Sequence, residues 1–347
     1  MNLSDYSLTE LSALLKSWGE AQYRARQINE GLLLGKRPDE MSNLPAILRE
    51  KLNNLPFGGA KIAETRVSAR DGTEKYLLAL DDGNLVEGVY MRYAHGNTLC
   101  LSTQVGCRMG CRFCASTLNG CVRNLTCGEM LSMLLCVEKA HGEPSSGGRN
   151  VHNIVLMGSG EPLDNYDHVL RFLRRVTGAD GLNISARNIS LSTCGIVPRL
   201  FALADDAPPV TLSVSLHAPT DEQRSELMPI NRVYPIGELM AAARHYAQKT
   251  GRRVIFEYAL IEGFNDSRAD ADALSKLLRG LQAHVNLIPL NPVPERDLRG
   301  CSRRHADEFA AWLAQNHSSA TVRREMGTDI AGACGQLRYS VITNREV

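Results

Sequence analysis

The stretch "STQVGCRMGCRFCAS", residues 102 to 116, sets Cys107, Cys111 and Cys114 on one short loop and then supplies no fourth cysteine. A closed metal site or a pair of disulfides would use four, so the omission asks for a reason. Before the loop stands "TLCLST", a short strand-like run, and after it "GEMLSMLLCVEKA", with apolar residues at helical spacing. The alternation then repeats: "NIVLM", "NISLST", "VTLSVSLH", "VIFEYAL" and "VNLIPLNP" read as strands. Between and after them "YDHVLRFLRRV", "VPRLFALA", "IGELMAAARHYAQ", "ADALSKLLRGL" and "ADEFAAWLAQ" read as helices. Six such βα units predict an α/β fold, a parallel sheet bent into a partial (β/α)6 TIM-like barrel over residues 98–320. Each strand hands over to a polar or Gly/Pro-containing cluster, and in a βα barrel those ends share the face that holds the active site.

Outside the barrel the pattern changes twice. Residues 1–57 read as a small helical domain, with Leu8, Leu11, Leu14 and Leu15 at helical spacing and seven basic against seven acidic side chains. Such balanced charge reads first as a solvated helix face, with "YRAR" and "GKRP" a modest cationic patch. Residues 58–97 read as a β-hairpin extension, because "AKIAETRVSA", "EKYLLAL" and "NLVEGVYMRY" are separated by the turn signals "RDGT" and "DDGN". Residues 321–347 form a C-terminal tail with a Gly-rich loop around a lone cysteine, Cys334.

Composition narrows the compartment. The 347 residues are 44% hydrophobic and 22% charged, ordinary for a globular chain. No apolar run approaches the roughly 20 residues of a membrane span, and "MNLSDYSLTELSALLK" lacks the basic start of a signal peptide, so a cytoplasmic protein with no membrane partner is expected. In that reducing setting ten cysteines are no disulfide framework, and their crowding between 100 and 136 points to metal or redox chemistry. A net charge of +1 requires any nucleic acid to be held by a local basic surface.

Three thiolates on one loop can hold three corners of a cube-shaped iron-sulfur cluster, leaving the fourth iron open to a small molecule such as an amino acid's amine and carboxylate. The alternative is a zinc site completed by Cys100, Cys121 or a histidine. The spacing after a first barrel strand resembles the radical S-adenosylmethionine (SAM) superfamily, in which a 4Fe-4S cluster held here by Cys107, Cys111 and Cys114 would bind SAM and release a 5'-deoxyadenosyl radical. "MGSGEPLDN", residues 157–165, is a weak nucleotide fingerprint because Leu163 stands at its third glycine position. It is similar instead to the superfamily's GGEP motif, which implies that Gly160 and Glu161 meet the SAM amino group. Ser192, Ser215, Leu216, His217 and Asn291, at later strand ends, are then candidates for its ribose and adenine, although each could also be a satisfied core group.

"VEGVYMR", "LCLSTQVGC", "SLHAP", "LMPIN", "NLIPLNP" and the tail "VRREMGTDIAGACGQLRY" resemble the RlmN/Cfr family of RNA adenine-C2 methyltransferases along the whole chain. The retained Glu-Pro of "MGSGEPLDN" is more similar to the RlmN branch than to the antibiotic-resistance branch. Met157 matches a methionine of the family's loop, whereas Ser159 replaces a second one found in many members. The resemblance implies that Cys334 accepts a methyl group from one SAM, that a radical from a second SAM activates it, and that the resulting carbon adds to carbon 2 of the base. It further implies Glu87 as the proton acceptor and Cys100 as the thiol that releases the product through a transient disulfide with Cys334. The implied partners are 23S rRNA before full ribosome assembly, tRNA beside its anticodon, and an electron donor such as flavodoxin or ferredoxin. Arg24, Arg26, Lys36, Arg37, Arg323 and Arg324 are candidate phosphate contacts. Two other readings stay open from the residues alone: a radical SAM enzyme acting on something other than RNA, and a zinc-containing RNA-binding protein without catalysis.

Overall fold

The N-terminal segment folds as its leucine spacing requires. Ser7 caps α1 (Leu8–Ser17), accepting a hydrogen bond from the Glu10 backbone while the Glu10 side chain accepts one from Ser7. With α2 (Arg24–Leu33) and α3 (Ala46–Asn53), it buries Leu11, Leu15, Ile28, Leu32 and Leu52 in a core of its own. The computed structural model describes residues 1–143, 148–332 and 336.

β1 (Ala60–Val67), β2 (Glu74–Leu80) and β3 (Leu85–Met91) form the expected antiparallel meander. It does not stand apart from the barrel, because β3 pairs with β4 (Thr98–Cys100), the first barrel strand, with Val89 opposite Cys100. The cysteine loop carries a small hairpin, β5 (Gln104–Gly106) with β6 (Cys121–Asn124), whose strands are too short to show a period in the sequence. The chain then runs α4 (Cys127–Ala140), β7 (Asn153–Leu156), α5 (Tyr166–Thr177), β8 (Ile189–Thr193), α6 (Val197–Asp206), β9 (Thr211–Ser215), α7 (Asp221–Leu227) and α8 (Ile236–Thr250). It closes with β10 (Val254–Leu260), α9 (Arg268–Leu278), β11 (Ala283–Pro289), α10 (Arg303–Gln315) and β12 (Ala320–Val322).

One sheet of ten strands results, in the order β1-β2-β3-β4-β7-β8-β9-β10-β11-β12, parallel from β4 onward and open at both edges. The partial barrel is therefore present, with β12 as a seventh parallel strand beyond the expected six. Three residues of mixed polarity give no strand signal alone; β12 exists because the edge of β11 offers it a ladder, Val285 opposite Ala320. The helices pack their apolar faces on the sheet, as Val169, Phe172, Leu173 and Val176 of α5 show.

One buried cation ties the strand ends together. Arg224 of α7 is fully buried, and burial holds its guanidinium below the usual range. It donates to the carbonyls of Cys194 (2.7 Å), Ser215 (3.0 Å) and Leu216 (3.2 Å) and to Asn231 Oδ1 (2.9 Å). Arg224→Ala strips all these acceptors at once, so urea unfolding should show a loss of about 3 kcal/mol. Arg224→Lys should not restore it, since one ammonium cannot serve acceptors spread around a planar fork.

Candidate active site

The cysteine loop is shaped by its own backbone. Cys107 N donates to the Gly120 carbonyl at 2.9 Å, and Thr117 Oγ1 donates to the carbonyls of Cys111 (3.2 Å) and Cys114 (2.9 Å). All three thiols line one cleft that opens to solvent. Burial pushes the Cys107 thiol up to about 12 and the Cys111 thiol well above its ordinary value, and charge on the neighbouring thiols adds to both. Thiolates in such a place need a cation beside them.

The turn after β7 forms the next wall. A Cβ on Gly158 would stand 2.7 Å from Leu101 O and Ser102 N, and Gly160 has φ +109° with its Cβ position 2.7 Å from Gln104 N. Only glycine lets these backbones approach so closely. Glu161 is buried, and burial raises its pKa. Its two oxygens accept from Cys194 N (2.7 Å) and Leu163 N (3.0 Å), which leaves lone pairs facing the cleft it lines.

Ser192, Ser215, His217 and Asn291 also line this cleft. Leu216 does not: it is buried in the main core, where its carbonyl accepts from Arg224. His217 adopts φ +59°, and its Nδ1 accepts from Ala259 N at 2.9 Å, so its proton sits on Nε2. Burial and then the Arg224 charge hold its pKa down to about 3, and the ring is neutral. Asn265 locks this geometry, donating to the carbonyls of His217 and Ala259 at 2.7 Å each. Sequence reasoning missed Arg224, Asn265 and the cleft-lining Glu257; only Glu257, a charge inside the apolar strand "VIFEYAL", carried a signal, since Arg224 and Asn265 lie in polar stretches.

A second recess adjoins the cleft, sharing Met157, Asn291 and Arg323 with it. It is lined by Cys100 and by the tail residues Met326 and Gly332. Glu87 lies one row away on β3, fully buried and 2.8 Å from Lys75 Nζ. Cys334 lies outside the described residues, between Gly332 and Gln336, whose Nε2 donates to the Pro292 carbonyl at 2.9 Å. Of the candidate phosphate contacts, Arg323 and Arg324 border the recess, while Arg37 is engaged with Asp81 at 2.7 Å.

An open parallel half-barrel with three thiols at its mouth defines a radical SAM enzyme, and residues 101–274 match the family model of the Radical SAM superfamily. The chain is 49% identical to a probable dual-specificity RNA methyltransferase RlmN of Clostridium beijerinckii, covering 100% of this chain and 97% of that protein. Against the protein of the same description from Thermoanaerobacter it is 46% identical, covering 99% of both. The crystal structure of a radical SAM methyltransferase from Sphaerobacter thermophilus superposes with a TM-score of 0.91 at 45% identity, covering 97% of this chain and 99% of that one. The chain belongs to the RlmN family of radical SAM RNA methyltransferases.

That family works with a 4Fe-4S cluster and SAM, and the residues here fit both. Among the described residues no three His, Cys, Asp or Glu converge on one point as a single metal ion requires, whereas a cubane places each cysteine on a different iron. Neither Cys100 nor Cys121 lines the cysteine cleft, and His217, the histidine that does, spends its Nδ1 on the Ala259 backbone. Ser159 Oγ and Thr103 Oγ1 are buried beside the cleft without a hydrogen-bond partner among the described residues. No helix among those residues is long and apolar enough to cross a membrane.

Gly160→Ala should weaken SAM binding to the anaerobically reconstituted protein about tenfold or more by calorimetric titration, because backbone must shift to admit the methyl. Gly251→Ala, also at positive φ but with open space around it, should leave SAM affinity within about twofold and cost about 1 kcal/mol of stability.

Proposed function

We propose that this enzyme methylates carbon 2 of an adenosine in 23S rRNA at the peptidyl-transferase centre, before full ribosome assembly, and of the adenosine beside the tRNA anticodon. The observation that carries the reading is the recess holding Cys100 and the tail approach to Cys334, opening into the cleft of the three cysteines. Cys107, Cys111 and Cys114 would hold the cluster, and Gly160, Glu161, Ser192, Ser215, His217 and Asn291 the SAM. When bound, these groups supply a methyl group and a 5'-deoxyadenosyl radical, with an electron from a flavodoxin or ferredoxin.

The chain's own residues do the rest. Cys334 Sγ takes up the methyl group and loses one hydrogen atom from it; the new carbon bonds to carbon 2 of the base, and the radical adduct gives up one electron, for which the bound cluster would be the acceptor. Glu87 accepts the proton that leaves carbon 2. The Cys100 thiolate then attacks Cys334 Sγ; the carbon-sulfur bond breaks as the disulfide forms, its electron pair stays on the methylene carbon, and a proton taken up there completes the methyl group of the freed base. The two thiols must be distant in sequence and close in space, a reading supported by Met326 and Gly332 of the tail, which border the recess of Cys100. Residues 1–57 act as an accessory RNA-contact domain, with the β extension of 58–97, the barrel of 98–320 and the tail of 321–347 completing the division of labour. A base reached this way must be extruded from folded RNA.

Peptide mass spectrometry of protein made with iron supplementation should find a methylthioether on Cys334 and about four irons per chain. Cys100→Ala should accumulate a covalent enzyme-RNA species under reducing assay conditions; wild-type turnover by that variant overturns the resolving role.

A further inference from the structure

Glu87 does not enter the sheet interior alone. Lys75 of β2 is equally buried, and its Nζ stands 2.8 Å from Glu87 Oε1. Register makes this a diagonal reach: Leu77 faces Glu87, and Lys75 faces Val89, which in turn faces Cys100. The same ammonium donates to the carbonyl of Ala331 at 3.2 Å, three residues before Cys334. That carbonyl belongs to a segment already fastened to the β1–β2 turn. Gly327 N donates to Asp71 Oδ2 (2.9 Å), and Ser68 Oγ and Ala69 N donate to Asp329 (2.7 and 3.1 Å).

Other charges among the described residues lie nearby. Glu64 and Arg66 of β1 border the small recess beside Lys75 and Glu87 but are half-exposed and paired with each other at 2.7 Å. Asp71 and Asp329 are turned to the backbone and hydroxyl groups just named, and Arg323 of the tail borders the recess of Cys100. Taking a carboxylate and an ammonium out of water costs several kcal/mol per ion, and an apolar pair would fill the space as well. Packing therefore gives no reason for the pair, whereas a base that must stay ionised while buried gives one.

We propose that Lys75 is the positioning residue for the proton transfer: its ammonium holds Glu87 as an aimed anion and ties it to the tail segment leading to Cys334. This rests on the proposed role of Glu87 in methyl transfer to RNA. In the step concerned the bond from carbon 2 to hydrogen breaks, its electron pair stays on the enzyme-RNA adduct and the proton goes to a Glu87 oxygen. Lys75 exchanges no proton.

The test uses the full chain with reconstituted cluster, transcribed 23S rRNA and tRNA, and the variants Lys75→Met, Lys75→Arg, Glu87→Gln and the double variant. Lys75→Met should keep Cys334 methylation within about twofold, lose product formation about 100-fold and accumulate the adduct. Lys75→Arg should stay within about tenfold of wild type. The double variant buries no charge and so folds even where Lys75→Met does not, and it should be no slower than Glu87→Gln. Turnover of Lys75→Met within about threefold of wild type, or an equal extra loss in the Glu87→Gln background, overturns the inference. An unmethylated wild-type Cys334, or a Glu87→Gln enzyme of full activity, overturns the underlying reading and is told apart by needing no Lys75 variant.

Discussion

The peptide group at Cys194 is gripped between two buried charges. Its N–H donates to Glu161 at 2.7 Å, and its carbonyl accepts from the Arg224 guanidinium, also at 2.7 Å. The Arg224 charge does not reach water, so it is satisfied only when the ends of β8 and β9 and the helix α7 are all in place. A partly made arrangement would strand a buried ion at a cost of several kcal/mol. The strand-end loops are thus set at fixed heights on one face by an electrostatic requirement rather than by apolar packing, which tolerates small displacements. His217 and Asn265 extend the stitching to β10, and the Tyr258 hydroxyl donates to the Asn265 carbonyl at 2.8 Å.

This frame holds a cleft in which burial pushes the Cys107 and Cys111 thiols above their ordinary range. The close backbone approach at Gly158 and Gly160 serves the same face, bringing the β7 turn against the β4–β5 connection so that Glu161 and the cysteines share a wall.

The second recess depends on a different feature, the continuity of the N-terminal meander with the barrel sheet. Pairing of β3 with β4 carries Glu87 and Cys100 onto adjoining rows. The β1–β2 turn then reaches over to hold residues 327–331, the approach to Cys334. Glu87, Cys100 and the tail segment 327–331 are therefore gathered from three regions of the chain without lengthening any barrel loop.

Much of this was legible before any coordinates. Short apolar runs alternating with amphipathic ones specify βα units because strand and helix periods are local properties, and the Asp-Gly turns likewise specify the meander. The spacing of Cys107, Cys111 and Cys114 specifies a three-point ligand loop, since a few residues of chain cannot carry the thiols far apart. Tertiary structure alone decided what lies across the sheet. Strand β12 exists through its neighbour's edge, Leu216 turned out to face the core and not the cleft, and Lys75 meets a carbonyl 256 positions away. Sequence period fixes which elements form, but a charge pair between rows, or a tail held by a distant turn, is set by register and by the burial that makes each polar group find its partner.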